Sequence, residues 1–303
     1  MKTKTKALGL ICGFVLAAGI TAGTSTFAWF QVSRAVTLHF TNFTLENNRD
    51  SINAEIIPLT AADASAVSSD KQTISAASQK GYDVSSGTGE AFYSPDWTDT
   101  QGGPVGFVKD VTTETGTAYA QFAFKVNIDA ASGTGGHYDL YLVDGTQITS
   151  TDGTPADGAT AHKWTRVAIL AADSVTPYDS DIPGSVGALT HVVTFENRNS
   201  GGELDDKNHF LNNSSAIALE SLGSVTTTYA AASAEHDLLP YSTVATPGDI
   251  SKSNARKIGE VSGSNTIYFV VRVWLEGTEN NNQDTAINDV VSVDLKIAST
   301  VHA

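Results

Sequence analysis

The chain has 303 residues, with 33 acidic against 18 basic side chains and a formal net charge of -15 at pH 7. So acidic a surface repels phosphate backbones and anionic lipid, which excludes nucleic acid as an expected partner. The single cysteine, Cys12, lies in an apolar N-terminal run; the rest of the chain has no thiol for disulfides, thiolate metal sites or cysteine nucleophiles, and its stability must come from burial.

Lys2, Lys4 and Lys6 precede ALGLICGFVLAAGITAG, an uncharged run broken by glycines. A basic start, a short apolar core and a small-x-small site at Thr26-Phe27-Ala28 are the layout of a secretory signal peptide. Cleavage is expected between Ala28 and Trp29. The alternative is a retained membrane anchor, but Ala7 to Gly23 spans seventeen residues, short of the roughly 20 a spanning helix wants. The membrane is thus expected as a partner only through residues 1–28 before their removal. Ile11 stands where lipoprotein processing at Cys12 would want a small residue, and no LPxTG motif or second apolar span follows. Losing three lysines and no acid takes the net charge from -15 to -18. The remaining 275 residues suit a single large β domain over 46–303, preceded by an N-terminal strand segment, 29–45.

Strand periodicity dominates the chain beyond the signal segment. In AVTLHFTNFTL, Val36, Leu38 and Phe40 alternate with Thr37 and His39. Residues 61–90 are rich in alanine and serine without a clear period, an insertion with room for a short helix. YAQFAFKVNI sets Phe122, Phe124, Val126 and Ile128 on one face, and HYDLYLV does the same with Tyr138, Leu140 and Leu142. HKWTRVAIL offers Trp164, Arg166 or Val167, and Ile169; LTHVVTFEN is a further strand. SSAIALESLG is a helix candidate, capped by Ser214 or Ser215 and stopped at Gly223. TIYFVVRVWLEG is apolar on both faces, as a doubly covered central strand would be. VVSVDLKIA closes with Val291, Val293, Leu295 and Ile297 alternating with polar positions. Many short strands, polar loops rich in Gly, Asn and Asp, and few helices imply an all-β fold, a jelly-roll-like β-sandwich with helical decoration.

Motifs that would carry catalysis are missing: there is no HExxH, GxSxG, Walker loop or GxGxxG before a helix. No catalytic residue is assigned. His39, His137, His162 and His191 fall in or beside expected strands, where a strand-face or edge histidine is the plain account. Glu235, His236 and Asp237 are neighbours whose side chains would point apart on a strand. The one credible ligand source is oxygen-rich. Glu276, Glu279, Asn281 and Asp284, with Asp289 nearby, cluster in EGTENNNQDTAIND, and Glu203, Asp205 and Asp206 in GGELDDKNH. Calcium wants six to eight oxygens, but the spacing is not that of the twelve-residue calcium loop, and solvated turns explain the same residues. The sequence offers calcium, held by Glu276, Glu279, Asn281 and Asp284, as its one cofactor candidate; otherwise none is expected. Sequons at Asn42, Asn212 and Asn213 matter only in a glycosylating host.

The basic start, Gly- and Ala-rich core and TFAWF resemble the signal regions of TasA and camelysin-like secreted proteins of Gram-positive bacteria and their wall-less relatives, processed by a SipW-type signal peptidase. FYSPDW at 92–97 and VRVWLEGTE at 271–279, with a closing strand after it, are similar to segments of surface proteins in that group. The likeness covers the N-terminus and about the last forty residues, and the middle only by strand pattern. It implies a secreted jelly-roll subunit that polymerises head to tail into matrix fibres, each mature N-terminus completing a sheet of the next subunit. The subunit-contact residues would be Trp29, Phe30, Val32, Val36, Leu38 and Phe40. Burying Val36, Leu38 and Phe40 at about 1.5–3 kcal/mol each would supply roughly 5–9 kcal/mol. The alternative is that this strand pairs within its own subunit. Two other functions compete: a monomeric surface module that binds carbohydrate or protein through Tyr93 and Trp97, and the secreted metallopeptidase named for camelysin-like members, for which this chain lacks a zinc motif.

Overall fold

A computed structural model describes residues 32–40, 44–46, 50–66, 72–81, 84, 86–95, 107–113, 115, 118–130, 136–143, 146–151, 165–198, 204–211, 232–235, 256–263, 265–275 and 290–302. Strands β1 (Val32–Phe40), β2 (Thr44–Glu46) and β3 (Asp50–Ile57) precede a helix, α1 (Ala61–Ala66). Strands β4 (Gln72–Gly81), β5 (Tyr93–Pro95), β6 (Phe107–Asp110), β7 (Ala120–Ala130), β8 (His137–Leu142) and β9 (Gln147–Thr151) come next. The middle of the chain supplies β10 (Thr165–Ala172), β11 (Val175–Thr176), β12 (Ser185–Val186), β13 (Leu189–Arg198), β14 (Leu204–Leu211) and β15 (Ala232–Glu235). The last four are β16 (Arg256–Ser262), β17 (Thr266–Leu275), β18 (Val290–Leu295) and β19 (Ile297–Val301). The all-β expectation holds.

Eight strands form one antiparallel sheet in the order β15-β14-β13-β10-β17-β7-β3-β2. Against it stands a second layer of two sheets, β4-β1-β18-β9 and β16-β8-β19. These two run on into one another, because only Lys296 separates β18 from β19. The Val143 amide donates to the Lys296 carbonyl at 3.0 Å, and the Lys296 amide donates to Thr146 Oγ1 at 3.1 Å. The main core lies between the layers: Ile52, Phe122, Phe124, Val126, Val167, Ile169, Phe195, Phe269 and Val271 from the large sheet meet Leu140, Leu142, Val291, Val293 and Ile297 from the other. Alternation in β7 and β18 thus reads as expected, and the choice left open in β10 resolves with Val167 and Ile169 facing this core.

The large sheet is covered on its other face as well. Ala123, Ala168, Leu170, Val270 and Trp274 lie under Leu59, Val84, Phe92, Val111 and Tyr119, which explains why β17 is apolar on both sides. Two buried arginines hold the cover in place. Arg166 donates from Nε to Glu196 Oε2 at 2.9 Å, with both side chains buried. Arg272 donates from Nη1 to the carbonyls of Gly89 at 2.7 Å and Glu90 at 3.0 Å, and its guanidinium lies 4.7 Å from the centre of the Tyr119 ring. Phe92 stacks on Tyr119 at 4.1 Å and meets Trp274 edge-on at 5.2 Å. The expected insertion at 61–90 therefore begins with α1, adds β4 to the second layer and ends as a loop over the sheet. Thr60 and Asp63 start α1: Asp63 Oδ2 accepts the Thr60 amide at 2.9 Å and Thr60 Oγ1 accepts the Asp63 amide at 3.1 Å, a reciprocal cap.

Candidate functional site

Strand β1 is an interior strand of the second layer, between β4 and β18. It runs antiparallel to β4, from Val32 opposite Gly81 to Phe40 opposite Gln72, with an irregularity between Arg34 and Val36. Beside β18 it runs parallel, with Val36 paired to Val291, Leu38 to Val293 and Phe40 to Leu295. The three β18 partners are buried. This is the one parallel strand pair among the described residues, and no hairpin can make such a pair. The next strand, β2, belongs to the other layer, where it pairs with β3. One N-terminal strand is expected over 29–45; two strands in different sheets, β1 and β2, are found there. Of the expected contact residues, Val32, Val36, Leu38 and Phe40 lie in β1. Trp29, Phe30 and the cleavage site Ala28–Trp29 lie outside the described residues.

A second grouping sits where β16, β8 and β19 run side by side. His137 opens β8 and pairs with Ser262, and the His302 amide donates to the His137 carbonyl at 2.8 Å. That register sets the two imidazoles across one strand pair, stacked with centroids 3.9 Å apart and planes 23° from parallel. Glu260, two residues before Ser262 and so on the same face, reaches His137 Nε2 with Oε2 at 3.2 Å. His302 Nδ1 meets Asp139 Oδ1 at 2.8 Å. Lys257 pairs with Asp139 at 2.7 Å and also with Glu260. Burial alone would raise the Asp139 carboxyl pKa, but the hydrogen bonds and charges of Lys257 and His302 outweigh it and hold it below the ordinary value. Glu260 is likewise lowered, chiefly by its hydrogen bond from Lys257.

The sequence reads His137 as a strand-face or edge histidine; it opens β8, the middle strand of its three-stranded sheet, and local spacing does not join it to Glu260 and His302. The three meet only through the pairing of β8 with both β16 and β19. His39 lies in β1 and His191 in β13, as expected of strand histidines; His162 and His236 lie outside the described residues. So do the calcium candidates Glu276, Glu279, Asn281 and Asp284, together with Asp289, Glu203, Trp97, Trp164 and the helix expected at 214–223. Asp205 and Asp206, expected in a loop, are in β14. Tyr93 opens β5 and is half-buried.

No helix among the described residues is long and apolar enough to cross a membrane. Compared with known proteins, the chain matches no family model, no curated protein and no solved structure.

Proposed function

We propose that the protein is a secreted, non-enzymatic structural subunit that polymerises head to tail, β1 of each molecule occupying the slot between β4 and β18 of the next. The observation that carries this reading is the parallel pairing of β1 with β18. A parallel strand needs either a long crossover or an entry from elsewhere, and with cleavage after Ala28 the strand would stand at the start of the mature chain. The layer change after Phe40 supports the same reading. β1 lies between β4 and β18, whereas β2, the next strand in the chain, pairs with β3 in the other layer. One slot and one donor at different places on a molecule make a heterologous contact, which extends into a fibre rather than closing on itself. The jelly-roll connectivity and extracellular location implied by the resemblance to TasA-like proteins belong to this proposal.

Removing 29–40 from the mature chain tests it. Fibres seen by negative-stain electron microscopy for 29–303 are expected to vanish on truncation. A synthetic 29–40 peptide added to the intact chain is expected to shorten them by competing for the slot. Fibres that persist after truncation sink the mechanism.

A further inference from the structure

We propose that His137, Glu260 and His302 form a surface binding site for a divalent transition-metal ion of the zinc type, with Asp139 as the residue that positions His302. One ligand atom from each of the three residues can be chosen so that all lie within 4.8 Å of one another. His137 and Glu260 stand on the paired strands β8 and β16, and His302, the residue after β19, is tied to β8 by its amide's hydrogen bond to the His137 carbonyl at 2.8 Å. The donor set is two imidazoles and one carboxylate, which suits zinc rather than the all-oxygen preference of calcium or magnesium.

The local geometry supplies two further supports. Asp139 Oδ1 lies 2.8 Å from His302 Nδ1. An ionised carboxylate only accepts, so Nδ1 carries the proton and Nε2 of the neutral ring keeps its lone pair for a metal. That carboxylate–histidine arrangement is the usual outer support of a metal-bound imidazole. Second, His137 Nε2 and Glu260 Oε2 stand 3.2 Å apart, close to the roughly 3.3 Å that separates two ligands of a tetrahedral ion with bonds of about 2.0–2.1 Å. The neutral His137 ring that binds an ion there carries its proton on Nδ1, which leaves the Nε2 lone pair for the metal.

The charge balance also favours a cation. Asp139 and Glu260 set two negative charges against the single positive charge of Lys257, and both histidines enter as neutral ligands. Two rearrangements are required: Glu260 gives up its contact with Lys257, which retains Asp139, and the stacked rings splay until both lone pairs converge. The side chains of His137 and His302 are 42% and 35% exposed, so the splay occurs at the solvent-facing end of the sheet. Water completes the coordination. The role is binding, and its structural effect is to tie the end of β19 to β8 and β16.

Isothermal titration of the untagged secreted chain with Zn²⁺ tests the site. One ion per chain is expected, together with a rise in thermal midpoint that EDTA reverses, since a ligand of the folded state alone stabilises it. Cu²⁺ substituted for Zn²⁺ should show nitrogen coupling from two imidazoles by electron paramagnetic resonance. His302→Ala and Glu260→Gln should each weaken Zn²⁺ at least tenfold, and Asp139→Asn by a smaller factor. His302 lies beyond the last strand, so its loss leaves the fold intact, and unchanged Zn²⁺ affinity in His302→Ala overturns the proposal. Absence of Zn²⁺ binding to the parent chain does so as well.

Discussion

Arg166 and Glu196 form an ion pair sealed inside the protein: Nε and Oε2 are 2.9 Å apart, and their side chains are 0% and 3% exposed. The two stand on β10 and β13, neighbouring strands of the large sheet, on the face covered by the 84–95 segment, where Arg166 Nη1 also reaches the Ser86 carbonyl at 3.4 Å. Burying charges costs several kcal/mol each, so the pair's worth lies less in net stability than in the penalty for separating it. Glu196→Ala should therefore destabilise the fold by about 3–5 kcal/mol. Urea unfolding followed by tryptophan fluorescence measures this. A loss below about 1 kcal/mol would mean that the arginine finds other compensation.

Gly89 has φ of +74°, and a Cβ built there would meet the Ala168 Cβ at 2.5 Å. Gly89→Ala faces two costs. A left-handed backbone costs a residue with Cβ about 1–2 kcal/mol, and overpacking typically adds about 1–3 kcal/mol. The loop must rise from β10, loosening the Arg272 hydrogen bonds to the Gly89 and Glu90 carbonyls. Calorimetry should find a drop of several degrees in the unfolding midpoint. A midpoint within one degree of the parent would show that the loop is softer than its contacts imply.

Half-buried His191 has its pKa lowered from the usual 6.5, chiefly by desolvation, against an opposing pull from Glu90. Its lowered folded pKa means that the unfolded chain binds more protons as pH falls through about 6.5. Stability from this group is therefore full above pH 6.5 and lost towards the folded pKa below it. Urea midpoints should fall between pH 7.5 and 5, and His191→Gln should flatten that slope. Equal slopes in the two proteins would assign the acid sensitivity elsewhere. Asp139, also lowered, adds a further loss only below its ordinary carboxylate pKa of 3.8.

Much of the fold was legible because alternation reports burial directly. Phe122, Phe124 and Val126 in β7, and Val291, Val293 and Leu295 in β18, are buried as their spacing implies. Doubly apolar β17 announced a strand covered on both sides. The covering loop was not legible: its hold on the sheet depends on Arg166 and Arg272, charged residues buried because their partners lie on other strands and loops. The change of layer between β1 and β2 is marked in the sequence only by a shift of phase, from Val36, Leu38 and Phe40 to Phe43 and Leu45. His137, Glu260 and His302 were invisible for a related reason. Strand register brings them together although His137 stands more than a hundred residues before the other two, and no local spacing encodes that register.

Thr37 and Ser292 are register partners in the parallel β1–β18 pair, and removal of 1–28 takes away the only cysteine. A Thr37→Cys/Ser292→Cys chain carries two thiols whose Cα atoms stand at the spacing of adjacent strands, within the reach of a disulfide. Fibres of this double variant should be oxidised, denatured without reductant and separated by size. Strand exchange predicts a covalent ladder of dimers, trimers and longer chains that collapses to monomer on reduction. Monomers alone, each closed by an internal disulfide, would show that β1 stays in its own subunit and contradict the account.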